Sequence, residues 1–151
     1  MKYIFLALLS GLLLIACNTN DKKAEGRSNK MNDSLAQKAM SDSTNFTTIQ
    51  WLDSTTQDLG KINEGQMVEI SWRFRNTGNK PLIIANVSPG CGCTVADKPE
   101  EPIAPGNEGV IKARFDSKGH PGQATKNVNV RANTKDNVTT LLFRVYVTKQ
   151  Q

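Results

Sequence analysis

Val68, Ile70, Trp72 and Phe74 alternate without a break with Glu69, Ser71, Arg73 and Arg75. A period of two places all four apolar side chains on one face of an extended strand and the polar ones on the other. A helix cannot gather residues at that spacing on one side, so the stretch has to be a strand with one dry face. A sheet of such strands leaves that face in water unless another layer covers it.

The same texture continues to the C-terminus. Asn76-Thr77-Gly78-Asn79-Lys80-Pro81 reads as a turn and Leu82 to Val87 as the next strand. Pro105-Gly106 leads into a strand with Ile111, Ala113 and Phe115 on one face and Lys112 and Arg114 on the other. Lys118-Gly119-His120-Pro121-Gly122 is a turn, after which Val128, Val130 and Ala132 alternate with Asn127, Asn129 and Arg131. A turn at Asn133 to Asn137 precedes Leu141, Phe143, Val145 and Val147, alternating with Leu142, Arg144 and Tyr146. A first strand near Thr47 to Leu52 and a short one near Thr94 to Ala96 bring the count to about seven, with no helical period between them. The expectation is all-β: an immunoglobulin-like β-sandwich over residues 47–151. The Cys-Trp-Cys pattern of true immunoglobulins is absent, so Trp72 is expected to be core with no disulfide behind it.

Upstream the chain differs. Lys2 precedes an apolar run from Tyr3 to Ala16, broken only by Ser10 and Gly11. The run is shorter than the roughly 20 residues a helix needs to cross a bilayer, so residues 1–16 read as a secretory signal. It ends in Leu14-Ile15-Ala16-Cys17, which resembles a bacterial lipobox. That resemblance implies cleavage before Cys17 and a diacylglyceryl group on its sulfur. Two or three acyl chains make a durable anchor where one is marginal. The implied location is the bacterial cell envelope, lipid-anchored to a membrane and facing the periplasm or cell exterior.

From Asn18 to about Phe46 bulky apolar residues nearly vanish. Lys22, Lys23, Arg27, Lys30 and Lys38 nearly cancel Asp21, Glu25, Asp33 and Asp42. Such a segment buries too little surface to offset its ordering entropy. Residues 17–46 are therefore expected to be the lipidated cysteine and a disordered tether on the order of 30 Å long. Met31, Leu35 and Ala39 recur at helical spacing and would allow one short helix, but the tether is the preferred reading.

The motifs fall in a fixed order. Asp58-Leu59-Gly60-Lys61-Ile62 comes first, then Phe74-Arg75-Asn76-Thr77-Gly78 and Pro81-Leu82-Ile83-Ile84. Cys91-Gly92-Cys93-Thr94, Pro105-Gly106, Phe115-Asp116-Ser117 and Gly122 follow. From Gln50 to Val147 the series resembles the bacterial domain of unknown function family 1573, an immunoglobulin-like module of exported proteins. The resemblance supports the fold and the location. Its members often carry the same lipid anchor, and no enzymatic activity is established for it.

Catalytic signatures are missing from the sequence. One histidine is too few for most triads and most all-protein zinc sites. There is no nucleophile elbow, phosphate-binding loop or His-Glu-x-x-His, and Gly90-Cys91-Gly92 lacks the third glycine of a dinucleotide fingerprint. Asp97, Glu100 and Glu101 read as a solvated acidic loop, so no catalytic residue and no enzymatic activity is expected. From Thr47 onward 13 basic side chains face 10 acidic ones, a net of +3. That is too slight for nucleic acid, though it is compatible with weak attraction to anionic envelope polymers.

With Cys17 lipidated, Cys91 and Cys93 remain as a pair outside the cytoplasm. Residues two apart on an extended chain share a face, and Gly92 is expected to let the chain pucker through a positive φ. Three chemistries fit. One is a small structural disulfide, which exported cysteine pairs usually form. Another is a labile redox pair. The third is a soft metal site, for which two thiolates suit Cu(I) and His120 is the only imidazole. Two functions follow. One is a non-enzymatic binding or assembly module, without cofactor, that meets envelope proteins through loops or an added edge strand. The other is a periplasmic thiol-redox or copper-handling protein working through Cys91 and Cys93.

Overall fold

Each dry face is covered by another dry face, in two four-stranded sheets packed together. The coordinates are a computed structural model that describes residues 34 and 36–149. The signal, Cys17 and most of the tether lie outside the described residues. Among the described residues eight strands follow one another: β1 (Ile49–Trp51), β2 (Thr56–Asn63), β3 (Met67–Asn76), β4 (Ile84–Pro89), β5 (Thr94–Asp97), β6 (Glu108–Asp116), β7 (Gly122–Ala132) and β8 (Val138–Thr148). One sheet has the order β1-β3-β6-β5 and the other β2-β8-β7-β4. The expected immunoglobulin-like sandwich is what forms, with one strand more than the sequence pattern disclosed.

Trp72, Phe74, Ile111 and Phe115 from the first sheet meet Val128, Val130, Leu141 and Phe143 from the second, all fully buried. Phe115 and Phe143 touch edge to face across the sheets with ring centroids 5.5 Å apart, and Trp72 lies 6.5 Å from Phe143. Such aromatic contacts add about 0.5–1.5 kcal/mol each beyond area burial. Trp72 is core, as expected. Its indole N–H has no hydrogen-bond partner, so apolar area alone holds it.

The extra strand is β2. Its inward positions are Gln57 and Leu59, and then Ile62, because the register against β8 slips between Asp58 and Lys61. Gly60 sits in the slip at φ +68°, with its N–H held by the Asp58 carboxylate at 2.8 Å. A bulge of this kind shifts the alternation by one residue, which hides the strand from a period-two reading. β2 is also where the chain changes sheet. Leu52 N–H donates to the Arg73 carbonyl, and the Asp53 carboxylate then takes the Arg73 N–H, ending the pairing. The chain crosses and runs parallel to β8, while every other strand pair is antiparallel.

Polar residues lock the loops. Buried Asn76 donates from Nδ2 to the carbonyls of Lys80 and Ile103, and its Oδ1 accepts from the Thr47 hydroxyl and the Gly78 N–H. Buried Asn133 donates to the carbonyls of Asn45 and Pro81 and accepts from Ile83 N–H. Both asparagines lie at the end of the sandwich where the chain enters, with Thr47 bridged to Thr134. At the opposite end Ser117 Oγ lies 2.7 Å from the Gln66 carbonyl, fastening the β2–β3 turn.

The last part of the expected tether is structured. Residues 36–41 are helical, Ser43–Asn45 form a 3-10 turn capped by Asp42, and Ala39 is 6% exposed. Ala39 borders one cleft with Pro81 and Ile83, so this segment lies against the sandwich instead of standing alone.

Replacing Asn76 by alanine removes the acceptor of the Thr47 hydroxyl and the Gly78 N–H and the donor to the Lys80 carbonyl, while the Ile103 carbonyl keeps the Leu82 N–H, so we expect a loss of about 2–3 kcal/mol in urea denaturation. A loss near zero would show that water replaces the amide. Asp53 is held below the ordinary carboxylate range, first by the Arg73 side chain and then by the Arg73 N–H. A depressed folded value stabilises the fold at neutral pH, and that stabilisation is lost as pH falls below about 4. The stability gap between wild type and Asp53→Asn should therefore be level near neutrality and close in acid.

Candidate functional site

β4 ends at Pro89, where the chain must cross from the edge of one sheet to the edge of the other. Gly90 donates its N–H to the Asn127 carbonyl at 2.9 Å, pressing the crossing onto β7. A Cβ at Gly90 would lie 2.1 Å from Asn127 Oδ1, so no larger residue fits without displacing that amide. Cys91, Gly92 and Cys93 then turn, and the Thr94 N–H returns to the Cys91 carbonyl. Asp116 N–H binds the Cys93 carbonyl at 2.9 Å, and Thr94 enters β5 opposite Phe115.

Cys91 and Cys93 are joined by a disulfide, with Cα atoms 5.3 Å apart, inside the ordinary range. Gly92 does not do what the sequence suggests. The positive-φ glycines are Gly60, Gly65, Gly106, Gly119 and Gly122, and Gly92 is not among them. An ordinary turn brings the cysteines into range, and open space surrounds the position a Gly92 side chain would take. Gly92 is exposed, both cysteines are half-buried, and Thr94 beneath them is 3% exposed. Its hydroxyl lies 3.6 Å from Cys91 Sγ and 3.9 Å from Cys93 Sγ. With the sulfurs bonded to each other, neither presents a thiolate.

His120 comes to the same end by another route. Its N–H closes a turn onto the Ser117 carbonyl, and its ring lies 6.0 Å from that of Phe115. It packs as an aromatic. Among the described residues, no group of three or more His, Cys, Asp or Glu side chains is placed to hold a metal ion. The acidic loop is dispersed: Asp97 stands opposite Lys112, and Lys98 reaches Glu100 at 3.7 Å. Cys17 lies outside the described residues.

One residue at this end went unnoticed in the sequence. Lys126 occupies an inward position of β7, in step with Ala124, Val128, Val130 and Ala132. Lys126 is half-buried, and its ammonium lies 5.8 Å from the centroid of the Phe115 ring at the rim of the sandwich. A lysine in phase with buried valines is the signal that would have revealed it.

Residues 42–147 match the family described as "Protein of unknown function (DUF1573)". The chain belongs to this family. A search of curated proteins finds no match. Among solved structures, a protein of unknown function from Porphyromonas gingivalis is similar at TM-score 0.59 and 15% identity, covering 70% of this chain and 49% of that one. The ASH/PapD-like domain 7 of human CEP192 is similar at TM-score 0.53 and 8% identity, covering 70% and 89%. The VesB protease of Vibrio cholerae gives TM-score 0.50 and 13% identity, covering 76% and 35%. The chain thus spans about half and about a third of the two bacterial proteins it resembles. At these identities the likeness is one of fold, shared by PapD-like and immunoglobulin-like sandwiches.

A disulfide enclosing a single residue removes little freedom from the unfolded chain, about 1–2 kcal/mol in the loop-entropy account. The double replacement Cys91→Ser, Cys93→Ser should therefore fold and lose no more than that in urea denaturation. Thiol titration of the unreduced wild-type domain should find neither cysteine reactive; two reactive thiols would contradict the bonded pair.

Proposed function

We propose that this family member is a lipid-moored module of the bacterial envelope that binds or assembles with other envelope proteins and catalyses nothing itself. Fold does not carry this reading, because sandwiches host many activities. One positional observation carries it. The chain enters the sandwich beside Asn76 and Asn133, and the clamped Cys91–Cys93 loop lies at the opposite end of the strands. The ten residues of β3 span roughly 30 Å at about 3.3 Å per residue. A domain held by its N-terminus therefore presents this loop away from the mooring. The lipobox-like Leu14-Ile15-Ala16-Cys17 supports the mooring, and its lipid would place the protein at a membrane facing the periplasm or exterior.

The test is made in intact cells. An alkyne fatty acid should label the wild-type protein, and Cys17→Ser should abolish the label and release the protein from membranes. A photocrosslinker at exposed Gly92 should capture discrete envelope proteins, and one at Gln37, near the chain's entry, should not. An unlabelled wild type, or equal capture from both positions, overturns the proposal. A mixed disulfide accumulating in Cys93→Ser cells would instead favour thiol exchange at this loop.

A further inference from the structure

Both outer faces of the sandwich carry opposite charges across a ladder, but the second also gathers basic side chains around the bulge in β2. On the first sheet, opposite charges stand across the ladder: Arg75 faces Glu108, Glu69 faces Arg114 and Asp97 faces Lys112. Arg73 and Arg75 each have a carboxylate in contact. On the second sheet the bulge in β2 opens a groove of about 390 Å³ lined by Asp58, Lys61, Gln123, Arg144 and Tyr146. Among the described residues no carboxylate lies within ion-pair distance of Lys61 or Arg144. Asp58 stands opposite Arg144 across the ladder, but its carboxylate accepts the Gly60 N–H and makes no ion pair with the guanidinium. Tyr146 is 49% exposed, with the Lys61 ammonium 6.0 Å from its ring centroid.

We infer that this groove binds an acidic glycan, a sugar chain bearing carboxylates. Tyr146 offers exposed ring surface for a sugar, with the Lys61 ammonium lying over the same ring. Arg144 presents a guanidinium fork and Lys61 a point charge to a carboxylate, and Gln123 supplies an amide for hydroxyls. Exposed Thr125 on β7, opposite Arg144, extends the hydrogen-bonding surface. An extended acidic peptide fits less well. It would bind by continuing the ladder at the β2 edge, and the slip between Asp58 and Lys61 interrupts that edge at the groove. The inference is independent of the lipid anchor and of the disulfide loop.

The test is titration of the purified full chain with oligogalacturonate, followed by calorimetry and by tyrosine fluorescence. Binding should weaken with added salt, and a neutral glucan of equal length should bind at least about tenfold more weakly. Tyr146→Ala should weaken binding about tenfold, and Lys61→Ala with Arg144→Ala should reduce it below detection. All three are exposed positions, so circular dichroism should report an unchanged fold. Binding of polyglutamate as tight as oligogalacturonate and indifferent to Tyr146→Ala would reduce the groove to a charge patch. No binding of oligogalacturonate would overturn the inference.

Discussion

Two sheets that are each wet on one side and dry on the other can hide their dry sides only against each other. The contact of Phe115 with Phe143 is where that constraint is met. Everything else is arranged so that these rings stay in register. Phe115 lies opposite Val68 on β3 and opposite Thr94 on β5, and Phe143 lies opposite Lys126 on β7 and Gln57 on β2. A slip of one residue in any of these pairings would turn an aromatic ring into water. The inward Lys126 and the ring of His120 close the rim around the same phenylalanine.

The motifs read in the sequence divide by what they do. Asn76, the Asp58–Gly60 bulge and Ser117 satisfy or redirect backbone, and their side chains are spent on the fold. Cys91-Gly92-Cys93 is different. It joins the two sheets at their edge, but its middle residue faces open solvent and its disulfide encloses almost no chain. A structural role for so small a ring is modest. That imbalance sets this loop apart from the loops pinned by asparagine, whose side chains are engaged by backbone.

What the sequence disclosed followed from periodicity. The strands around Val68, Ile111, Val128 and Leu141 were legible because burial repeats every second residue without interruption. β2 was not, because a glycine at φ +68° shifts the phase in its middle. The ordered residues before Phe46 escaped because the burial of Ala39 depends on residues distant in sequence, which leaves no local signature. At the candidate site the proximity of Cys91 and Cys93 was legible from spacing alone. The ordinary backbone at Gly92, the hydroxyl of Thr94 under both sulfurs and the packing of His120 on Phe115 depend on partners distant in sequence. The groove beside Tyr146 was hidden for the same reason as β2, since the bulge creates both.

The crossing of the first strand from one sheet to the other also bears on mechanics. β1 and β2 run from the entry end toward the far end, one bonded to β3 and the other, in parallel, to β8. A pull on the N-terminal side acts along these strands, at right angles to their ladder bonds. The bonds of both segments then share the load at once instead of opening one after another like a zipper. A domain wired in this way resists tension applied along β1 and β2.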